Sequence, residues 1–234
     1  LTGIISRTAS ILKEWSGSSS LDAYQSCNPN RVKIQLAALY EAVKEQHIAY
    51  CTPPANFGDA GQRIRLSDNV LSGKLGTCLD MSLLYASCAE AMGLHPLLVV
   101  IQGHALVGCW LIDGTFPDAV NDDPSLLTKR TADGINEIIL LEATCMNDGK
   151  NVTFDAAVGL ANGKMLAVND FICFIDVARS RFAHILPLPQ RIMHGKAWSV
   201  NPEMIQTPED ESHVSYSNAP EEIKQYDWGN QDCY

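Results

Sequence analysis

The sequence predicts an α+β protein in which one buried helix packs on a small antiparallel sheet. Residues 76–80, Gly-Thr-Cys-Leu-Asp, lead into a stretch whose apolar side chains recur close to helical spacing and which ends at Gly93, a common left-handed helix stop. Short apolar runs of strand length follow at 96–101, 105–112 and 138–141. With 234 residues, 46% of them hydrophobic, the chain has enough apolar surface for one substantial core.

Two helices are expected before the cysteine. Residues 4–15 have an amphipathic pattern that the Gly-Ser-Ser-Ser stretch 17–20 ends, and a second helix is predicted at about 29–46. The apolar members of the first are Ile4, Ile5, Ile11, Leu12 and Trp15, and those of the second are Val32, Leu36, Leu39, Tyr40 and Val43. The stretch 51–61 contains Pro, Gly and Asn, which is typical of a loop.

Cys78 stands at the first turn of the predicted buried helix. Unpaired N–H groups and the positive end of the helix dipole at such a terminus favour a thiolate over a thiol. A cysteine inside an apolar helix is usually a core residue, but Cys78 precedes the apolar stripe of this helix. It is therefore the best candidate for a nucleophile in the chain.

A base and an orienting acid follow the cysteine in sequence. The first two apolar runs predict strands joined near Gly103, which places His104 at the start of the second. The third run leads directly into Glu142, so a carboxylate stands at the end of a hydrophobic strand. Nucleophile, histidine and acid are the groups that a thiol hydrolase requires. Asp113 is nearer to His104 in sequence and is the competing third member.

These residues resemble the transglutaminase-like cysteine-enzyme superfamily, which has a papain-like fold. Gly-Thr-Cys, Gly-His-Ala and Glu-Ala-Thr are similar to its Cys, His and Asp-Pro-Thr boxes. The resemblance covers about residues 20–190 and is closest to transglutaminase-like domains of large bacterial helicase-related proteins. It includes Tyr-Cys-Thr-Pro-Pro at 50–54, Gly-Gln-Arg-Ile-Arg at 61–65 and Leu-Pro-Leu-Pro at 186–189.

The resemblance implies a nucleophile at Cys78, a general base at His104 and an orienting acid at Glu142. The chain departs from the family in having Glu where Asp is usual, and a polar insertion at 113–137 separates this acid from the histidine. Papain-like enzymes often add a side-chain amide to the oxyanion hole, and Gln62 is the candidate for that part. A glutamine that caps a turn or meets solvent is the alternative.

The expected function is that of a thiol-dependent hydrolase, a peptidase or amidase, that cleaves amide bonds through a thioester. Protein-glutamine acyl transfer, as in a transglutaminase, is the alternative outcome, because the same groups serve both reactions. A third possibility is a non-catalytic interaction domain of a larger protein. The expected partners are a protein or peptide substrate and other domains of a longer chain, since the sequence begins at Leu1 rather than Met.

The composition of the chain argues against several other kinds of function. A net charge of −10 and a pI near 4.9 argue against direct nucleic-acid binding, which needs concentrated Lys and Arg. No apolar run has the length of a membrane span, so no membrane association is expected. Eight cysteines, several within apolar patterns, favour a reduced, cytoplasmic protein. Without a Cys-x-x-Cys or His-x-x-x-His pair, neither a structural zinc site nor another cofactor is predicted.

The remaining chain predicts a helix beginning at 153–158 and a buried strand at 171–176. Trp110 shares a face with His104 by two-residue alternation, which fits either a wall of the site or, more commonly, a core residue.

The acidic composition from residue 201 onward predicts an extended tail or linker. We therefore divide the chain into a domain at 1–200 and a tail at 201–234.

Overall fold

The structure is a computed structural model that describes residues 1–52, 64–166 and 170–187, and the backbone of 191–194 and 197–200. The chain divides into two compact units, Leu1–Leu186 and Pro187–Tyr234. The described part of the second unit is an antiparallel hairpin. The predicted tail at 201–234 and most of the predicted loop at 51–61 lie outside the described residues, so the boundary at residue 200 stays a prediction.

The described residues of the first unit form seven α-helices, and a side chain caps the start of five of them. Asn28 and Thr153 each accept a hydrogen bond from a backbone N–H of the helix that they precede, and Pro29 stands at the first position of its helix. The helices are α1 Thr2–Ser16, α2 Pro29–Lys44, α3 Ser67–Gly73, α4 Cys78–Ala91, α5 Pro124–Thr131, α6 Phe154–Met165 and α7 Val177–Phe182.

Five strands of the described chain form an antiparallel sheet in the order β5-β7-β3-β4-β6. A short parallel pair, β1 and β2, precedes this sheet in sequence, and the hairpin β8–β9 follows it. The strands are β1 Ala49–Tyr50, β2 Leu75–Gly76, β3 Pro96–Ile101, β4 His104–Trp110, β5 Val120–Asn121, β6 Ile138–Leu141, β7 Phe171–Asp176, β8 Arg191–His194 and β9 Ala197–Val200.

Strands β3, β4 and β6 are buried on both faces, which explains why they are apolar throughout rather than alternating with polar residues. Val107 and Cys109 of β4 belong to a core that includes side chains of α2 and α4. Leu106 and Trp110, on the opposite face, belong to a second core together with Phe116. The sheet therefore lies between two hydrophobic cores, with α4 on one side.

The end of the β3–β4 hairpin away from its turn is fixed by one tyrosine. The hydroxyl of Tyr24 donates to the carbonyl of Trp110 at 3.0 Å and accepts from the N–H of His95 at 2.8 Å. Its ring also lies 4.9 Å from the ring of His95. At the other end, Gly103 adopts a left-handed φ of 70°, which closes the tight turn directly before His104.

The predicted mixed α+β class with a small antiparallel sheet is confirmed, and the predicted helices and strands lie within a few residues of the observed ones. Trp15 does not belong to the buried face of α1, because its side chain is exposed. Trp110 is a core residue. Its indole donates to the buried carboxylate of Asp176, and the guanidinium of Arg130 lies over its ring.

Replacing Gly108 by alanine is expected to destabilise the fold by about 1–3 kcal/mol. A Cβ at this position of β4 falls 2.7 Å from Cδ2 of buried Leu140 and 3.1 Å from the backbone oxygen of Ile139. The measurement is the free energy of unfolding in urea. Gly159→Ala is the matched control, because a Cβ there meets no atom within 4 Å and alanine favours the helix. An equal effect of the two substitutions would contradict this description of the sheet.

Candidate active site

The helix that carries Cys78 begins with a complete capping box. The Thr77 side chain accepts from the N–H of Asp80, and the Asp80 carboxylate accepts from the N–H of Thr77. These two hydrogen bonds satisfy the backbone N–H groups of Thr77 and Asp80 at the first helical turn. Cys78 is the first residue of α4, so the box fixes the position of its thiol.

Asp80 also ties the helix start to the chain that precedes α3. Its carboxylate accepts from the backbone N–H of Arg65 at 2.8 Å and from the Arg65 guanidinium at 2.9 Å. The carboxylate is buried, and burial alone raises its pKa. The hydrogen bonds from Thr77 and Arg65 outweigh burial, so the pKa of Asp80 lies below its usual value. Asp80 therefore remains charged and holds both segments together.

The Cys78 thiol lies close enough to the imidazole of His104 for each group to shift the pKa of the other. Burial raises the pKa of the thiol, whereas the contact with His104 and the backbone N–H of Ala105 and Leu79 lower it. The net effect is a lowered pKa. Only 5% of the surface of Cys78 is exposed, so the thiol is nearly enclosed in the free protein.

The strand register explains how Glu142 reaches His104. Val107 of β4 pairs with Leu141 of β6, and continuing this antiparallel register by one residue puts Leu106 opposite Glu142. His104 is two residues before Leu106 on the same face, so Glu142 and His104 are diagonal neighbours. Oε2 of Glu142 lies 2.7 Å from Nε2 of His104, which leaves Nδ1 as the ring nitrogen for Cys78.

Thr144, the last residue of the Glu-Ala-Thr sequence, holds the carboxylate of Glu142 in position. Its backbone N–H and its hydroxyl both donate to Oε1 of Glu142, at 3.1 and 2.7 Å, at the start of a short 3₁₀ helix, Ala143–Met146. One carboxylate oxygen is thus occupied by local contacts. The other, Oε2, is left for His104.

The three groups hold one another in charged forms. Contacts with Cys78 and Glu142 raise the pKa of His104 to about 9, although burial and a nearby lysine oppose the rise. Burial raises the pKa of Glu142, but hydrogen bonds from His104, Lys164 and Thr144 bring it down to about 2. At neutral pH the site therefore favours an imidazolium beside a carboxylate, and it lowers the pKa of the Cys78 thiol.

Lys164 of α6 also belongs to the site, and the sequence analysis did not identify it. Its ammonium nitrogen lies 2.6 Å from Oε2 of Glu142 and 2.9 Å from Nε2 of His104. A lysine in the last turn of a helix is already explained by the helix dipole, which hides its other role. The available signal is its spacing of seven residues from buried Ala157, which puts both side chains on one face of α6.

Tyr50 is a second residue that sequence reasoning missed. The residue is 43% exposed, and its hydroxyl is close enough to Cys78, Cys51 and Glu142 for their charges to add to burial in raising its pKa. The parallel pairing of Tyr50 with Gly76 brings β1 next to the residues that lead into α4. Tyr50 therefore lies at the solvent side of the site.

The other predicted candidates are placed differently. The Asp113 carboxylate is 75% exposed and lies 3.7 Å from Nδ1 of His95, whereas His104 is contacted by Glu142. The alternative acid is thus directed to another histidine. Gln62 lies outside the described residues, so its predicted part in an oxyanion hole stays a prediction.

No group of three or more metal-ligating side chains occurs in the described part of the chain. The seven cysteines described there are free thiols. Among the helices of the described residues, none combines the length and the apolar character needed to cross a membrane. Comparison with protein-family models, curated proteins and solved structures finds no match to this chain.

Replacing Glu142 by glutamine is expected to lower the pKa of His104 by about 1–2. The substitution removes the negative charge that stabilises the imidazolium while it keeps an oxygen at the same distance. The measurement is an NMR titration of the His104 ring, assigned with a His104→Asn variant.

Glu137→Gln is the matched control for this titration. Glu137 precedes β6, whereas Glu142 follows it, and its carboxylate pairs with Arg130 rather than with His104. A His104 titration that is the same in wild type and in Glu142→Gln would show that the carboxylate does not stabilise the imidazolium.

Proposed function

We propose that this chain is a thiol-dependent hydrolase, a peptidase or amidase, with Cys78 as nucleophile, His104 as acid and base, and Glu142 as the group that orients the histidine. The observation that carries the proposal is the chain of contacts from the thiol through the imidazole to a buried carboxylate. Each neighbour shifts the pKa of the next in the direction that nucleophilic catalysis needs.

In the acylation step, the Cys78 thiolate attacks the carbonyl carbon of an amide. The carbonyl electrons move onto its oxygen and form a tetrahedral intermediate. His104 then gives its Nδ1 proton to the leaving nitrogen, the C–N bond breaks and a thioester on Cys78 remains. Glu142 keeps the ring oriented throughout, because its bond to Nε2 persists when Nδ1 loses its proton.

Backbone donors at the start of α4 suit the oxyanion of this intermediate. The capping box occupies the N–H groups of Thr77 and Asp80, and the N–H of Cys78 has no hydrogen-bond partner among the described residues. This N–H stands beside the sulfur that forms the new bond, at the positive end of the helix dipole.

Deacylation completes the reaction. Neutral His104 takes a proton from water, the oxygen attacks the thioester, and the C–S bond breaks to release a carboxylic acid and the thiolate. An amine in place of water gives a new amide, which is the transglutaminase outcome. We favour water, since hydrolysis needs no second binding site for an amine.

A papain-like core of the transglutaminase-like type is part of the proposal. It is supported by the order of the three groups along the chain and by the elements that carry them. The cysteine stands at a helix start, the histidine begins one strand, and the acid directly follows the antiparallel strand beside it. A fold alone does not establish an activity, so the proposal depends on the reactivity of the thiol.

Alkylation with iodoacetamide at about pH 6, below the ordinary thiol pKa of about 8.5, tests whether Cys78 is activated. We expect Cys78 to be labelled at least about tenfold faster than Cys88, as measured by peptide mapping. Cys88 is the matched control because it lies in the same helix, and burial raises the pKa of its thiol to about 12.

His104→Gln is expected to abolish this preference, because the imidazolium that stabilises the thiolate is lost. His47→Gln, which removes an exposed histidine paired with Asp148, should leave the labelling unchanged. Equal labelling of Cys78 and Cys88 in the wild type would favour the non-catalytic interaction domain instead.

The reaction product distinguishes hydrolysis from acyl transfer. Incubation with casein and dansylcadaverine yields new amino termini, or glutamate in place of glutamine, if water is the acceptor, and fluorescent casein if an amine is. Cys78→Ala is the blank for both readouts. Fluorescent casein without hydrolysis would replace the hydrolase proposal with acyl transfer.

A further inference from the structure

Three polar atoms meet at one corner of the site. Nε2 of His104, Oε2 of Glu142 and Nζ of Lys164 form a triangle with sides of 2.7, 2.6 and 2.9 Å. The Glu142 side chain is almost completely buried, at 4% exposure, whereas the Lys164 side chain is 40% exposed. A single buried oxygen atom thus serves two cations.

The hydrogen-bond chemistry of these atoms places two cationic donors on one acceptor when the ring is an imidazolium. An ammonium has only donors, and a protonated Nε2 is also a donor, so in the imidazolium state both point to Oε2 of Glu142 and the two positive charges repel each other. Loss of the Nδ1 proton removes the positive charge of the ring and leaves the Nε2–H on Glu142. The lysine therefore disfavours the imidazolium relative to the neutral Nε2–H ring, which is the form that acts as the base.

Helix α6 fixes both the lysine and the carboxylate. The backbone N–H of Glu142 donates to the carbonyl of Ala157, and Lys164 lies two turns further along the same helix face. Phe154, Ala157, Ala161 and Met165 bury this face in the two cores. The packed backbone of α6 therefore places Lys164 on the helix face that adjoins Glu142.

We propose that Lys164 is a positioning residue that shares the Glu142 carboxylate with His104 and thereby limits the pH range in which the imidazolium persists. This inference rests on the proposed function of the Cys78–His104 pair. For the reaction, Lys164 makes the His104 imidazolium a stronger acid. An imidazolium that two anions stabilise too strongly is a poor proton donor to the leaving amine.

The charged and titratable groups around His104 come from four elements. Cys78 faces it from α4, Glu142 from the end of β6 and Lys164 from α6, while Tyr50 of β1 lies near the thiol and the carboxylate. Cys78 and Glu142 stabilise the imidazolium. Lys164 alone among these four carries a positive charge, so its removal changes the balance in one direction.

The test is an NMR titration of the His104 ring in the wild type, Lys164→Met and Lys164→Gln. Both neutral variants are expected to raise the pKa of His104 by about 1, because a like charge is removed and the whole of Oε2 becomes available to the ring. Lys164→Arg should stay closer to the wild type. Since the lysine side chain reaches solvent, glutamine is accommodated even if methionine is not, and far-UV circular dichroism checks both folds.

Lys13→Met is the matched control, because Lys13 is an exposed lysine in the last turn of α1. An unchanged or lowered pKa of His104 in the folded neutral variants would overturn the role of Lys164. Failure of the proposed function has a different signature, namely a wild-type Cys78 that is not labelled preferentially at about pH 6.

Discussion

The site depends on one buried carboxylate whose two oxygens have separate partners. Oε1 of Glu142 accepts from the N–H and the hydroxyl of Thr144, and Oε2 takes His104 and Lys164. A buried charge that lost these partners would be strongly destabilising, by about 3–5 kcal/mol for the removal of one ionic partner. The same contacts that make the charge tolerable also fix the imidazole that faces Cys78.

The sheet brings these groups together because its two faces are covered by different helices. Helix α4 carries Cys78 and packs on one face, whereas the C-terminal half of α6 packs on the other. His104 is the first residue of β4, and side chains of both helices reach it, Cys78 from α4 and Lys164 from α6. A histidine in the middle of that strand would be enclosed in one core and would meet only one of the two helices.

Local signals predicted much of this arrangement. The helix start at Cys78, the left-handed Gly93 and the turn at Gly103 follow from preferences within a few residues. Strand register does not follow from local preferences, because it depends on the packing of both sheet faces. The register brings Glu142, rather than Asp113, next to His104. Lys164 was missed for a related reason: its spacing from Ala157 has meaning only once α6 is known to lie against β6.

The tyrosine that joins the two strands of the β3–β4 hairpin has a consequence for motion. Because the hydroxyl of Tyr24 bridges the His95 N–H and the Trp110 carbonyl, that end of the hairpin opens only when these two hydrogen bonds break. The opposite end is a tight glycine turn with Gln102 and Gly103 at the surface. Fluctuations of the hairpin are therefore concentrated at the Gly103 turn, while the remainder of the strand stays protected from solvent exchange.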